Sequence, residues 1–311
     1  MEKIKLVPIL IMSVIANIVF AAMFMSPWVV KFKANRLKST PASTSTQATA
    51  IKDTLFDEIN PVAGYEINAA YGQLGPKMIA TGVIDFEKFK GNYEKSGQSL
   101  TAEQENLLLQ GSKDTIKITR ENSYFLLDFF WAVGLANKSK ILDEGDMMKY
   151  GGNKGAGNFA STGGWTLARG DAMNYYSKSV LIPLTKEQEE RVNLVASNIF
   201  RPCCNNSTAF PDCNHGMALL GVLQLMASSS ATERQMYEAG KYFNAFWFPG
   251  NYYDLALYFR TKEGKVFRDV DAKMLLGKDF SSASGWQSVK QWLVSKGLIE
   301  QPPKQGGGCG V

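Results

Sequence analysis

An uncharged segment near the start of the chain limits the folds open to everything that follows it. From Leu6 to Val30, 25 consecutive residues carry no formal charge. That is more than the roughly 20 residues that a helix needs to span a bilayer. A cleavable signal peptide is the alternative, but its apolar stretch is usually only about 7–15 residues long. We therefore predict an uncleaved transmembrane helix followed by a body that folds separately.

The net charge of the chain is concentrated beside this segment. The formal charge is +5 for 311 residues, and residues 1–38 supply all of it, with six lysine or arginine residues against one glutamate. Recognition of nucleic acid needs a basic stripe on the folded body, and the balanced remainder offers none. The sequence therefore predicts no nucleic-acid partner, and it predicts the membrane as a partner through residues 6–30.

Two features give opposite indications for the side of the membrane on which the body lies. Four basic residues follow the uncharged segment and only Lys3 and Lys5 precede it, which by the positive-inside tendency favours a cytosolic body. Residues 39–50, however, form a Ser/Thr/Ala-rich linker, typical of a tether that spaces an exported domain from a membrane. We predict an anchor with basic flanks over residues 1–38, this linker, and an extracytoplasmic body.

The body is predicted to be mainly α, with several helices and at most a short hairpin. Thr101 and Thr185 each stand three residues before a glutamine, which is the capping-box pattern that opens a helix. The apolar face of the second of these helices continues to Phe200, and Pro202 is expected to stop it. Further helices are predicted over residues 216–228, over 232–246, closed by Pro249 and Gly250, and over 284–295.

Strand patterns are few, and glycine-rich segments mark the predicted boundaries. Residues 115–119 alternate briefly, and residues 264–270 are predicted to form one arm of a short hairpin. The glycine-rich run 151–164 is predicted to be a connecting loop between an N-terminal helical half, 51–150, and a C-terminal half, 151–300. A glycine-rich tail, 301–311, completes the chain.

All cysteine and histidine side chains are confined to two places. The spacing Cys-Cys-x8-Cys-x-His gathers Cys203, Cys204, Cys213 and His215 into one segment, and Cys309 lies in the tail. Thiolates and imidazole bind transition metals, attack electrophiles and exchange electrons. Three thiolates and one imidazole match a tetrahedral zinc site, and the glycines around Cys309 would allow the tail to replace or add a ligand.

Neighbouring residues extend this predicted metal centre. Met217 supplies an auxiliary soft sulfur, and cysteine, histidine and methionine together suit Cu(I). Asp212 and Asn214 are predicted to support the ligands through hydrogen bonds. The sequence thus predicts a membrane-anchored protein that binds or transfers zinc or copper, with a metal donor or acceptor protein as a partner.

Two alternatives remain open at this stage. An exported chain with four cysteines often forms two disulfides, here from the vicinal pair to Cys213 and to Cys309, in a structural or ligand-binding module. In the second alternative the chain is a cysteine-dependent thiol oxidoreductase or hydrolase, and Cys213, at a helix start, is its reactive cysteine. Two residues along a helix turn by about 200°, so Cys213 and His215 are then expected to diverge. Whether the chain is an enzyme stays open.

A carboxylate also interrupts an apolar helix. Asp128 lies within the segment from Phe125 to Val133, whose other residues are all apolar. A buried carboxylate needs a hydrogen-bonding partner or a raised pKa. Asp128 is therefore expected to be either a structural acceptor or a proton carrier.

Overall fold

A computed structural model of the protein describes residues 54–300. The predicted anchor, the whole of the linker and the glycine-rich tail with Cys309 lie outside this range, so those predictions stay predictions. Among the helices of the described range, none combines the length and the apolar character needed to cross a bilayer.

The described part of the chain is mainly helical, with one small sheet, which confirms the predicted fold class for the body. Residues 54–59 are helical, and the other α-helices and strands follow in this order, with a π-turn at Met147–Gly151 and short 3-10 turns between some of them: β1 Tyr65–Gly72, α1 Leu74–Thr81, α2 Phe86–Lys95, α3 Ala102–Gln110, β2 Ser112–Ile118, α4 Ser123–Ala136, α5 Lys140–Glu144, α6 Gly152–Gly155, α7 Ala160–Gly163, α8 Lys186–Ser197, α9 Asn214–Ser228, α10 Glu233–Trp247, α11 Pro249–Glu263, α12 Ala272–Leu275, α13 Lys278–Ser281 and α14 Ala283–Ser295.

Capping boxes open three of these helices. The hydroxyl of Thr101 accepts a hydrogen bond from the backbone of Gln104, whose side chain accepts one from the backbone of Thr101. Thr185 opens α8 in the same way. Both predicted boxes are therefore confirmed, and a third, at Thr232, opens α10. Each box satisfies amide groups that a helix start leaves without an intrahelical partner.

The sheet consists of two antiparallel strands that are distant in sequence, since three helices separate β1 from β2. The alternation at residues 115–119 correctly placed β2. The predicted strand at 264–270 is wrong, because Phe267–Asp269 form a 3-10 turn. The carbonyl oxygens of Arg268 and Val270 accept hydrogen bonds from the buried ammonium of Lys241, at 3.3 and 3.2 Å.

The most extensive helix contact joins α4, from the predicted N-terminal half, to α9, from the predicted C-terminal half. Gly134 of α4 faces the backbone of α9 at Met217, and a Cβ on Gly221 of α9 would lie 2.6 Å from the carbonyl oxygen of Phe130. Any side chain at either position would force the helices apart. The two glycines therefore fix the position of α9, whose N-terminus carries the cysteine and histidine residues.

The segment before these residues differs from the prediction. Helix α8 ends at Ser197, not at Phe200, and the backbone amide of Phe200 donates to the carbonyl of Leu276 at 2.8 Å. Pro202 is therefore not what stops the helix. The glycine-rich run 151–164 is likewise not a plain loop, because it contains α6, a 3-10 turn over Ala156–Asn158, and α7.

Candidate metal centre

The candidate site lies in the connection between α8 and α9. Cys203 and Cys204 lie in the turn that follows Arg201, and Cys213 is the N-cap residue of α9. Because the backbone of Cys213 is extended, its Sγ can face the first turn of α9 and accept a hydrogen bond from the amide of Gly216 at 3.4 Å. The sulfur therefore takes the place that a serine or aspartate oxygen occupies in most helix N-caps.

A buried arginine holds this connection together. The guanidinium of Arg201 has no solvent exposure, and its Nε donates to the Sγ of Cys213 at 3.0 Å. Its other nitrogens donate to the carbonyl oxygens of Asn206 and Phe210 and, at 2.7 Å, to Oδ1 of Asp212. The rigid fork of an arginine side chain can satisfy several acceptors at once. Arg201 thus fixes the loop between the vicinal cysteines and Cys213.

Asp212 and Gly216 complete the surroundings of this arginine. The second carboxylate oxygen of Asp212 accepts from the side-chain amide of Asn206 at 2.8 Å. A Cβ on Gly216 would lie 2.5 Å from the Cζ of Arg201. Residue 216 must therefore be glycine for the guanidinium to lie against the first turn of α9.

Three thiols meet beside this arginine. The Sγ atoms of Cys203 and Cys213 are 3.5 Å apart, and those of Cys203 and Cys204 are 4.0 Å apart. All three are free thiols within the described range. Cys203 is exposed, whereas Cys204 and Cys213 are half-buried. The cluster is thus open to solvent on the side of Cys203.

His215 joins the thiols from the first turn of α9. A ring nitrogen of His215 and the Sγ atoms of Cys203 and Cys213 all lie within 4.8 Å of one another. The expected divergence of Cys213 and His215 is wrong, because Cys213 is the N-cap and lies outside the helical spiral. The ring of His215 packs against Phe248, with centroids 4.3 Å apart, and against Trp247 at 5.9 Å.

The charge of the cluster is concentrated on Cys213. Hydrogen bonds from the thiols of Cys203 and Cys204 lower the pKa of Cys213 well below its ordinary value, and the charge of Arg201 acts in the same direction, against the effect of burial. The hydrogen bond with Cys204 and then that with Cys213 raise the pKa of Cys203. A negative charge is therefore most favourable on Cys213.

The other predicted site residues have different surroundings. Asp212 binds Arg201 and Asn206 as described, and Asn214 accepts a hydrogen bond from the backbone amide of His215 at 2.9 Å. Met217 is completely buried in the core, and its amide donates to the carbonyl of Cys213. Its role as an auxiliary ligand stays a prediction, as does that of Cys309 outside the described range.

The donor atoms form two overlapping groups that are close enough to hold a metal ion. One consists of Cys203, Cys213 and His215, and the other of Cys204, Asp212 and Cys213, each with all donor atoms within 4.8 Å. The first group has the freer donors, because both oxygens of Asp212 already accept hydrogen bonds from Arg201 and Asn206.

Three residues of the site escaped the sequence analysis. Arg201, Asn206 and Gly216 all lie within or beside the segment that contains the cysteines, but none is a metal ligand. The one available signal was the charge of Arg201 between the apolar residues Ile199 and Phe200 and a proline, because a charged side chain there needs a partner. No protein-family model, curated protein or solved structure matches this chain.

Proposed function

We propose that this protein binds one thiophilic metal ion, zinc or copper, between Cys203, Cys213 and His215, and that it exchanges the ion with a donor or acceptor protein at a membrane surface. The observation that supports the proposal is the mutual distance of at most 4.8 Å among the three donor atoms. Thiolate and imidazole are the ligands that these two metals share.

The distance between the sulfur atoms of Cys203 and Cys213 fits one metal ion bound to both. Two thiolates at the usual zinc–sulfur distance of about 2.3 Å, in tetrahedral geometry, are about 3.8 Å apart. Cys203 and Cys213 have their sulfur atoms 3.5 Å apart. An ion between them therefore requires only a small adjustment, which the exposed side chain of Cys203 can make. The positive charge of Arg201 offsets part of the negative charge that several thiolates bring together.

A further sulfur ligand is within reach. Cys204 lies 4.0 Å from Cys203, sulfur to sulfur. Cys309 is nine residues beyond Glu300, the last described residue. Helix α14 begins at the cysteine loop, where the amide of Ala283 donates to the carbonyl of Cys204, and its 13 residues extend about 20 Å from that loop. The chain turns back after this helix, since the amide of Leu298 donates to the carbonyl of Leu293, and nine extended residues span up to about 30 Å. We therefore propose that Cys309 can return to the loop as a further ligand.

The open side of the cluster suits transfer of the ion. Because Cys203 is exposed, a thiol of another protein can approach the metal from that side and replace one ligand at a time. The half-buried Cys213 would keep its bond to the ion until the last step. Anchoring by residues 6–30, with the body outside the cytoplasm, would restrict this exchange to the membrane surface.

Metal binding to the full-length chain tests the proposal. The protein is reduced, freed of metal and equilibrated anaerobically with Zn²⁺ or Cu(I) in competition with a chromophoric chelator. We expect one equivalent to bind, and we expect Cys203→Ser, Cys213→Ser and His215→Ala each to weaken affinity at least tenfold. Cys204→Ser and Cys309→Ser, compared side by side, show which cysteine supplies the fourth ligand.

Two results would contradict the proposal. One is unchanged affinity when Cys203 and Cys213 are both replaced by serine, because the ion would then lie elsewhere. The other is a freshly isolated protein that contains no metal and, after denaturation without reductant, no titratable thiol. That result would favour the alternative of a module held together by two disulfides. Far-UV circular dichroism of each variant separates lost ligands from lost folding.

The proposed orientation has its own test. Since Cys203 is exposed, a membrane-impermeant maleimide added to intact cells should label the triple variant Cys204→Ser, Cys213→Ser and Cys309→Ser, which keeps Cys203 alone, if the body lies outside the cytoplasm. Labelling only after the cells are opened would place the body in the cytosol.

A further inference from the structure

Cys203 and Cys213 lie close together but in unlike surroundings. Their sulfur atoms are 3.5 Å apart, and Cys203 is exposed. The sulfur of Cys213 instead accepts hydrogen bonds from Nε of Arg201, at 3.0 Å, and from the amide of Gly216, at 3.4 Å. One member of the pair is therefore open to another molecule, while the other is held by groups that favour a negative charge.

We infer that Cys203 and Cys213 carry out reversible thiol–disulfide exchange with protein dithiols, with Cys203 as the sulfur that is attacked and Cys213 as the sulfur that leaves. This activity requires no metal, so it goes beyond the proposed function. Its substrate class is a pair of cysteine thiols on an extended or flexible segment that can reach an exposed sulfur.

The exchange balances without a further reactant. A thiolate of the partner attacks the Sγ of Cys203 in the oxidised pair, the bond between Cys203 and Cys213 breaks, and Cys213 leaves as a thiolate. The second thiolate of the partner then attacks the partner sulfur of the mixed disulfide, and Cys203 leaves and takes up a proton. The pair gains two electrons, and the partner loses two as its own disulfide forms. In reverse, the reduced pair reduces a partner disulfide.

The surroundings of Cys213 give the exchange its direction. A leaving sulfur departs faster when its thiolate is stabilised, and both Arg201 and the N-terminus of α9 donate to this one. Closing the bond moves the two sulfurs from 3.5 Å to about 2.05 Å. Cys204 is a poorer partner for Cys203, because a disulfide between adjacent cysteines is strained.

The oxidised pair also determines when the metal can bind. A disulfide between Cys203 and Cys213 removes two of the three donors of the candidate metal centre, so the disulfide and the ion exclude each other. This consequence alone depends on the proposed function.

A redox titration of the metal-free, full-length chain tests the inference. The protein is equilibrated with reduced and oxidised glutathione at varied ratios in the presence of a strong chelator, then quenched with acid, alkylated and mapped by mass spectrometry. We expect a disulfide between Cys203 and Cys213 that forms in one two-electron transition. The transition should persist in Cys204→Ser and Cys309→Ser and be absent in Cys203→Ser.

A trapping experiment tests which sulfur is attacked. In the triple variant Cys204→Ser, Cys213→Ser and Cys309→Ser, oxidised glutathione should form a lasting mixed disulfide at Cys203. In the matched triple variant Cys203→Ser, Cys204→Ser and Cys309→Ser, Cys213 should react at least tenfold more slowly, because its sulfur is half-buried. Faster reaction at Cys213 would overturn the assigned roles. In the redox titration of the unsubstituted chain, a disulfide that joins Cys204 to Cys203 or Cys309 instead of Cys203 to Cys213 would overturn the inference.

Two substitutions beside Cys213 test the stabilised leaving group. Arg201→Met removes a donor, so the equilibrium with glutathione should shift toward the disulfide by at least tenfold, about 30 mV. Asp212→Asn removes a carboxylate beside Cys213 and should shift the equilibrium toward the dithiol. This variant also provides the test if Arg201→Met fails to fold. If both variants shifted the dithiol–disulfide equilibrium in the same direction, or if Asp212→Asn did not shift it, the result would contradict a stabilised thiolate on Cys213 as the leaving group. Since chelator is present throughout, failure here leaves metal binding by the reduced protein untouched.

Discussion

The guanidinium of Arg201 donates to the sulfur of Cys213 at 3.0 Å, from a side chain with no solvent exposure. A charge in this position must be compensated, and Asp212 supplies the carboxylate at 2.7 Å. The loop backbone supplies two carbonyl acceptors, from Asn206 and Phe210. The arginine thus links the folding of the loop to the electrostatics of the thiol cluster.

Replacement of Arg201 should therefore destabilise the protein strongly. Arg201→Met leaves the carboxylate of Asp212 and two carbonyl groups without their donor, and removal of one partner of a buried ion pair costs about 3–5 kcal/mol. We expect the loss in the free energy of unfolding to lie near the lower limit of this range, because the side chain of Asp212 is 21% exposed. Urea unfolding of the reduced, metal-free chain measures it.

A charge-preserving variant serves as the control for Arg201. Arg201→Lys keeps the positive charge but loses the planar fork, so it should recover only part of the free energy of unfolding. Equal stability of the methionine variant and the wild type would show that the guanidinium does not hold the loop.

The glycine at the first turn of α9 should control metal affinity through this arginine. A Cβ at Gly216 would displace the guanidinium, since it would lie 2.5 Å from Cζ. We expect Gly216→Ala to weaken metal binding at least tenfold and to lower the free energy of unfolding by about 1–3 kcal/mol. Chelator competition and urea unfolding measure the two effects.

Gly250 offers a matched control for Gly216. It lies in the first turn of α11, which has 15 residues, as α9 does, and a Cβ there meets nothing within 4 Å. Gly250→Ala should leave metal affinity unchanged and stabilise the protein by up to about 1 kcal/mol through helix propensity. If both alanine variants bind metal like the wild type, the position of Arg201 does not matter for the site.

Local patterns predicted the elements better than they predicted the site. The boxes at Thr101 and Thr185 were readable because the pattern and the hydrogen bonds involve the same four residues. Helix α11 was missed because Pro249 followed a predicted helix and was interpreted as its end, whereas proline in the first turn can also open the next helix.

The site was predictable as a set of residue types but not as a geometry. The spacing of Cys203, Cys204, Cys213 and His215 brought the donors into one segment, and all four belong to the two overlapping groups that are close enough to hold a metal ion. The assumption that Cys213 lies inside a helix gave the wrong direction for its side chain, because a one-residue change in the helix start converts a helical residue into an extended N-cap. The buried Arg201 depends on acceptors from the folded loop, which no local pattern encodes.

The crossing of α4 and α9 yields a prediction about stability that is separate from the site. A Cβ on Gly221 would lie 2.6 Å from the carbonyl oxygen of Phe130. Gly221→Ala should therefore lower the free energy of unfolding by about 1–3 kcal/mol. Gly91→Ala, within α2, where a Cβ meets nothing within 4 Å, should instead be neutral or stabilising. Thermal unfolding of both variants, compared with the wild-type protein, tests whether the backbone contact between α4 and α9 fixes the position of α9.

The buried carboxyl of Asp128 should make stability depend on pH. Asp128 accepts a hydrogen bond from the hydroxyl of Tyr93 at 3.0 Å, and burial raises its pKa to about 7, although this hydrogen bond lowers it. Between about pH 4, where an unfolded aspartate titrates, and about pH 7, the folded state therefore keeps a proton that the unfolded state has lost. Stability should fall as pH rises through this window, by at most about 4 kcal/mol.

Three variants isolate this contribution when urea unfolding is followed between pH 4 and pH 8. Asp128→Asn has no carboxyl to titrate, so it should lack this fall in stability and exceed the wild type most at pH 8. Tyr93→Phe removes the hydrogen bond that lowers the pKa of Asp128, so the fall should continue to higher pH. Asp279→Asn, at an exposed aspartate, should retain the wild-type profile. Identical profiles for wild type and Asp128→Asn would show that the carboxyl does not titrate in this range. Asp128 would then not be the proton carrier considered from the sequence, because a carrier at neutral pH must exchange its proton within this window.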